Sequence, residues 1–255
     1  MAQFENPRLP EDVNVSAGSP LKDFLGLTFS IVVIALLGAL VLYVGAGLIA
    51  RRVSFETELG LAERFIKPKA EQPAIELSLQ ALADRLAAHM NLPPGMRIHV
   101  HYQDTPMVNA LATLGGNVFM YRGLLEKIPH ENALAMVMAH EIAHIINRDP
   151  IVGAGRGVAM TLALSAITGG ATDRAAGTML SGTALLTGLT FNREQETRAD
   201  EMALGAVVKE YGSIAGASDL FHVFEKLRGG RGEPPKILAT HPLTADRIAR
   251  IRLWR

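Results

Sequence analysis

The 255-residue chain has no cysteine, one tryptophan and only 5% aromatic residues, and its 25 basic and 25 acidic side chains leave no formal net charge. The missing cysteines exclude disulfides and thiolate ligands, so any metal must be held by histidines and carboxylates. They do not fix the compartment, because a cysteine-free chain is tolerated on either side of a membrane. The balanced charge, without a basic patch interleaved with aromatics, gives no electrostatic footprint for nucleic acid. Comfortable membrane spans are scarce too: only Phe24 to Ala50, 27 residues without a charge, is long enough. The remainder has room for one catalytic domain of about 200 residues, enough for a sizeable core.

What the chain does have is His140-Glu141-Ile142-Ala143-His144. Leu134, Val137, Met138, Ile142 and Ile145 recur at helical spacing around it, which predicts a helix with both imidazoles on one face, where they can reach one ion. Neutral imidazoles suit zinc, and Glu141, one residue after the first histidine, is placed to act as general base toward the attacking water. A zinc enzyme also needs a third protein ligand and an open fourth position. A helical Glu196 would bring its carboxylate to the metal, while Asp200, one turn later, would accept a hydrogen bond from a ligating imidazole. Glu194 is the rival ligand, and with Arg193, Arg198 and Glu201 the stretch also reads as a solvated charged helix. The longer motif that continues to a glycine and a third histidine is excluded, because Asn147 and Pro150 occupy those places.

Around this centre, residues 1 to 23 hold Pro7, Pro10, Gly18 and Pro20 with few large apolar residues and read as an extended tail. Residues 24 to 50 are predicted as a transmembrane helix. A cleaved signal peptide fits less well, because Glu5, Glu11, Asp12 and Asp23 replace a basic start. Arg51, Arg52, Arg64, Lys67 and Lys69 follow the span and only Arg8 and Lys22 precede it, a bias that puts residues 51 to 255 in the cytoplasm. Ile75, Leu79, Leu82, Leu86 and Met90 mark an amphipathic helix over Pro73 to Met90, packed against the metal helix. Arg97 to Tyr102 alternates as a strand with His99 and His101 on one face; with a better site elsewhere, this pair reads as structural. Within residues 151 to 192, Gly157 to Thr172 and Ala175 to Asn192 are uncharged runs of 16 to 18 residues. They fall short of the ~20 residues of a span, so they are expected to lie on the membrane or cover the cleft. His241-Pro242 follows the flexible Gly229 to Pro235 loop. Beside a zinc site, His241 has two opposite roles open to it, donor to the oxyanion or latch on the open metal position, and Arg247 is placed to orient it or a carboxylate.

Three motifs in order carry a resemblance: His140-Glu141-x-x-His144 followed by Asn147-Arg148-Asp149, then Arg193-x-x-Glu196-x-x-Ala199-Asp200, then His241-Pro242-x-x-x-x-Arg247-Ile248. With Asn109-Ala110 and Gly115 to Tyr121, the chain over about residues 55 to 250 resembles the M48 zinc metallopeptidases in their membrane-anchored, heat-shock membrane protease-like branch. The resemblance implies an α+β, zincin-like (gluzincin) domain with a small mixed sheet against the metal helix. It implies one zinc ion per chain on His140, His144 and Glu196, Asp200 behind the ligands, and polypeptide substrates at a lipid membrane. It also implies an exposed edge strand, with Asn109, Gly116, Asn117, Val118 and Phe119, that takes an extended peptide as an added strand. On local sequence, Gly115 and Gly116 read equally as an ordinary hairpin turn.

The expected function is hydrolysis of peptide bonds in misfolded or membrane-associated proteins by a single-pass enzyme of the bacterial inner membrane, in quality control. The alternative is a membrane-bound, chaperone-like zinc protein that cleaves little, its site latched by His241. Oligomeric state and cleavage preference are not legible.

Overall fold

The computed structural model describes residues 19–66, 72–168, 189–216, 219–228, 235–242 and 244–254. The expected tail over 1–18, Lys67 and Lys69, the apolar run up to residue 188 and the loop over 229–234 lie outside the described residues. The chain divides into two compact units, Met1–Val41 and Leu42–Arg255.

The first unit is the leading part of helix α1 (Pro20–Arg52). The helix starts four residues before the charge-free run and ends two after it, for reasons local to its ends. Pro20 suits a first helical position, Asp23 faces the positive end of the helix dipole, and Arg51 and Arg52 face the negative end. Phe29, Ile34 and Val41 are all about 70% exposed, as a helix that is apolar all round would be when its solvent is lipid.

The second unit continues through α2 (Phe55–Ala62), α3 (Ala74–Ala88), β1 (His99–Gln103), β2 (Ala110–Thr113), β3 (Asn117–Tyr121), α4 (Arg122–Leu125), α5 (Glu131–Ile146), α6 (Asp149–Ile167), α7 (Arg193–Tyr211), α8 (Asp219–Arg228), α9 (Ile237–Thr240) and α10 (Ala245–Leu253). The architecture is helix-rich α+β with a small mixed sheet. The core joins Leu79, Leu82 and Leu86 of α3, Val100 of β1, Val118 and Met120 of β3, and almost every residue of α5 from Ala133 to Ile145. Ile75, expected on the buried face of α3, is 40% exposed. Small buried residues, Ala139 and Ala143 on α5 and Ala199 and Ala203 on α7, line these two helices where they pack together. Helix axes approach closely only where side chains are small.

Among the described residues the strand order is β1-β3-β2, with β1 parallel to β3 (Val100 opposite Val118) and β2 antiparallel to it (Ala112 opposite Val118). This corrects the substrate strand expected from sequence. Asn117, Val118 and Phe119 lie in the middle strand, whose backbone is paired on both sides. Gly116 makes its close approach to the chain's own backbone: it has φ 78°, and a Cβ there would run into the Arg97 carbonyl. The hairpin reading of the glycines is the one that fits, because β1, distant in sequence, pairs with β3 on its far side. The outer edge of β1 is occupied by α3. Gln80 donates to the Ile98 carbonyl (3.0 Å) and accepts from Val100 N–H (2.8 Å), and Glu76 accepts from Tyr102 N–H (2.7 Å). β2 is the other edge and lies against α5.

Gly116→Ala is expected to cost more than about 2 kcal/mol of unfolding free energy, combining left-handed strain with the clash. Gly205→Ala, in mid-α7 with nothing within 4 Å of the added methyl, is expected to gain about 0.5–1 kcal/mol. Urea titration of the two variants checks both signs.

Candidate metal centre

The centre is assembled from α5 upward. His130 caps the helix, its Nδ1 accepting from Ala133 N–H, and the helical period then brings His140 and His144 onto one face with their Nε2 atoms 3.1 Å apart. Each ring is locked from behind. His140 Nδ1 lies 3.1 Å from Asp200 Oδ1, and His144 Nδ1 lies 2.8 Å from Asp149 Oδ2. An imidazole whose Nδ1–H goes to a carboxylate keeps its Nε2 lone pair forward, so two lone pairs face one another, and only a positive charge between them relieves the repulsion.

The third group comes from α7. Asn192 and Gln195 form a capping box that starts the helix just before Glu196. Glu196 then lies 3.4 Å from His144 Nε2 and 3.5 Å from His140 Nε2. Glu194, the rival, is 82% exposed and pairs with Arg198. His241, at the end of α9, is the fourth group: its Nδ1 is 2.9 Å from Glu196 Oε1 and 3.2 Å from His140 Nε2. All four residues are buried and offer ligand atoms within 4.8 Å of one another. Ligand atoms around a tetrahedral ion bound at zinc distances stand about 3.3 Å apart, and the separations of 2.9 to 3.5 Å in the five pairs other than His144 with His241 are compatible with such an ion.

The charges agree with the geometry. Burial pulls the His140 pKa down, but Asp200 and Glu196 outweigh it and lift the group to about 10. Burial raises the Glu196 and Asp200 carboxyls, but hydrogen bonds from His140, His144 and His241 to Glu196, and from Arg247 and His140 to Asp200, outweigh it and hold both below the ordinary carboxylate range. For His241 burial prevails and the pKa is lowered despite Glu141 and Glu196. The carboxylates thus favour positive charge at His140.

Arg247 serves the carboxylates. It donates to both oxygens of Asp200 (2.7 and 2.8 Å), pairs with Glu196, and reaches the Pro242 carbonyl at 3.0 Å, next to His241. Glu141 is fully buried; Ala112 N–H of β2 donates to its Oε2 at 2.6 Å, and its Oε1 is 3.5 Å from His241 Nε2, too far for a hydrogen bond. Asn109, at the head of β2, buries an Oδ1 that has no partner among the described residues. Outside the cluster, His101 bonds Asn117 Oδ1 at 2.7 Å and stacks on Phe119, while His99 is exposed.

Three residues of the centre were not singled out as functional from sequence. Asp149 holds His144, Gln195 donates to Asp149 at 2.7 Å, and Phe191 stacks on the His144 ring at 4.0 Å. Asp149 lies five residues after His144, past the helix end, and returns only because Arg148 adopts a left-handed conformation (φ 63°). Helical spacing does not reach that far; the Asn147-Arg148-Asp149 motif was the signal.

Comparison with known proteins agrees with this geometry. The family model of peptidase family M48 matches residues 73–255. The chain belongs to peptidase family M48. Among its M48 relatives is the beta-barrel assembly-enhancing protease of Escherichia coli (strain K12), 29% identical over 203 residues that cover 72% of this chain and 40% of the relative. The mitochondrial metalloendopeptidase OMA1 of Schizosaccharomyces pombe is 33% identical over 165 residues, 62% of this chain and 46% of that one. A protease HtpX homolog of Desulforapulum autotrophicum is 31% identical over 216 residues, 68% of each chain. This chain spans less than half the length of the first two. Family and relatives together support a metalloprotease.

Asp200→Asn tests the electrostatics in metal-free protein. Because the folded-state pKa of Asp200 is depressed, its contribution is present above the unfolded value of about 3.9 and is lost as pH falls through the folded value. The variant is expected to be less stable than wild type by about 2 kcal/mol or more at pH 7, with the gap closing below about pH 4 in urea titrations.

Proposed function

We propose that this M48 protein is a zinc metalloendopeptidase with a zincin-like (gluzincin) domain, anchored by α1 in the bacterial inner membrane with the catalytic side in the cytoplasm. It cuts misfolded or membrane-associated polypeptides in quality control. The observation that carries this reading is the convergence of His140 Nε2, His144 Nε2 and the Glu196 carboxylate beside the buried Glu141. The apolar, exposed α1 supports the anchor, and the excess of Arg and Lys after it supports the orientation.

His140, His144 and Glu196 hold the ion, which when bound supplies Lewis-acid polarisation of the scissile carbonyl and makes water at the site more acidic. Glu141 has one oxygen pinned by Ala112 and the other facing the cluster. That second oxygen takes the proton from the attacking water and passes it to the leaving amine. Asp200 and Asp149 keep both imidazoles in the ligating tautomer, and Arg247 holds Asp200 and Glu196 in register. The peptide is read by β2. Ala112 turns its N–H toward Glu141 and away from β3, so by strand alternation the Ala110 N–H and C=O and the Ala112 C=O face outward, the Ala112 N–H being held by Glu141, with Asn109 at the head of the edge.

His241 acts as a latch. Its Nδ1 stands among the ligand atoms, where it would fill the open position of a bound ion, and the burial of Ala110 to Thr113 along their length supports a closed conformation. The same contact favours a second reading, a membrane-bound, chaperone-like zinc protein that stays latched and cleaves little.

Zinc content and cleavage of an unfolded model protein, compared for wild type, Glu141→Gln and His241→Ala, separate the readings. All three are expected to bind about one zinc; Glu141→Gln loses cleavage by at least about 100-fold, and His241→Ala gains about tenfold. A slower His241→Ala would make His241 an oxyanion donor. Zinc-loaded wild type and His241→Ala that both leave the substrate intact would favour the binding protein.

A further inference from the structure

Glu58, on the helix that follows the membrane anchor, is a buried carboxylate outside the metal cluster, and it holds two chain segments at once. Only 3% of it is exposed. Oε1 accepts from Gly115 N–H at 3.0 Å, and Oε2 pairs with the Arg148 guanidinium. Arg148 in turn donates to the Val53 carbonyl at 2.7 Å and lies over the Phe55 ring, so it is gripped by the chain immediately after α1.

Both partners of Glu58 are one step from the catalytic apparatus. Gly115 lies two residues beyond the end of β2, the strand whose Ala112 N–H pins Glu141. Its φ of 72° sets the turn from β2 into β3, and a Cβ there would press on Ala62 and Leu59 of α2. Arg148 sits between α5 and α6 in the left-handed conformation that carries Asp149 back to His144 Nδ1. A guanidinium fixed at both ends fixes that backbone. The chain from Glu58 to Glu141 runs through Gly115 and β2; the chain from Glu58 to the metal ligand His144 runs through Arg148 and Asp149.

Net stability alone is a poor reason to bury such a pair. Burial is the largest influence on the Glu58 carboxyl and raises its pKa, although Gly115 N–H and Arg148 pull the other way. A buried ion pair recovers little more than its own desolvation, and what it adds is a defined geometry. Residues 53–62 also precede residue 73, where the match to the M48 family begins, so the Glu58 side of the clamp comes from outside that match while Gly115 and Arg148 lie within it.

We propose that Glu58 is a positioning residue: from the segment that joins anchor to enzyme, it sets the place of Glu141 through Gly115 and β2 and of His144 through Arg148 and Asp149. The proposal rests on the metallopeptidase reading and names a further residue of that site. It also makes the juxtamembrane helix α2 part of the enzyme, because the clamp that aligns the general base and one metal ligand is closed by the residues directly after α1.

The test compares full-length wild type with Glu58→Gln, and with Glu56→Gln on an exposed position of the same helix. Three readouts are taken: the visible absorption of the cobalt(II)-substituted protein, kcat and KM on an unfolded protein substrate, and the thermal midpoint. Glu58→Gln is expected to bind one metal ion, shift the cobalt absorption, and lose about tenfold in kcat with KM changed less, as displacement of aligned groups by a fraction of an ångström does. Glu56→Gln is expected to match wild type in all three. A Glu58→Gln protein with wild-type cobalt absorption and wild-type kcat per bound metal, however far its midpoint falls, overturns the proposal. If Glu58→Gln does not bind one metal ion, Arg148→Lys, which keeps the charge and gives up the second grip on Val53, is judged by the same criteria. Should wild type cleave nothing, the peptidase reading fails by itself, and the cobalt absorption alone decides whether Glu58 positions the metal ligands.

Discussion

Two imidazole lone pairs held 3.1 Å apart, each fixed by a carboxylate behind it, require a positive charge between them. The rest of the structure is arranged to keep that requirement standing. α5 supplies both rings and is buried from Ala133 through Ile145 except at Leu134, which holds them in place against α7 and the closing segment. α7 packs along it through Ala199 and Ala203 and brings Glu196 and Asp200 in one turn of helix. Arg247 of α10 is buried against these two carboxylates and balances the negative charge they would otherwise leave uncompensated. The site is polar and buried, which strengthens the attraction of its carboxylates for a cation.

The sheet and the membrane-proximal helices give this charge centre a direction. Of the two outer strands, β1 has its edge filled by Gln80 and Glu76, and β2 is tied to Glu141. Blocking one edge is a recognised protection against unwanted pairing, and among the described residues it leaves β2, beside Glu141, as the other edge. On the other side, Ala50 at the end of α1 packs with Ala62, Leu114, Ile151 and Val152 in a second small core. The helix leaving the metal site, the turn after β2 and the last turn of the anchor therefore meet at one place, the place where Glu58 and Arg148 are buried.

His241 is the fourth group of the cluster, brought there by the closing segment of the chain. Nothing in the ligand set needs it, since two histidines and a glutamate already suffice for a catalytic ion with an open position. It is delivered by a short helix flanked by residues outside the described set, and its position rests on Arg247 reaching the Pro242 carbonyl.

The sequence by itself determined what depends on short-range periodicity and residue chemistry. Histidines four apart on an apolar-striped helix, Glu196 and Asp200 one turn apart, and a long charge-free run are each readable because the helix repeat and the bilayer thickness are fixed lengths. Tertiary structure alone decided what depends on pairing between distant segments. The parallel addition of β1 put β3 in the middle and made β2 the outer strand on the Glu141 side among the described residues, because strand order is set by long-range contacts that local alternation does not encode. The return of Asp149 to His144 needed one left-handed residue beyond the helix end, and the choice of His241 as a fourth group needed the closing segment to fold back about a hundred residues later in the chain. Local spacing specifies which side chains can act; only the packed chain decides which of them face the same ion.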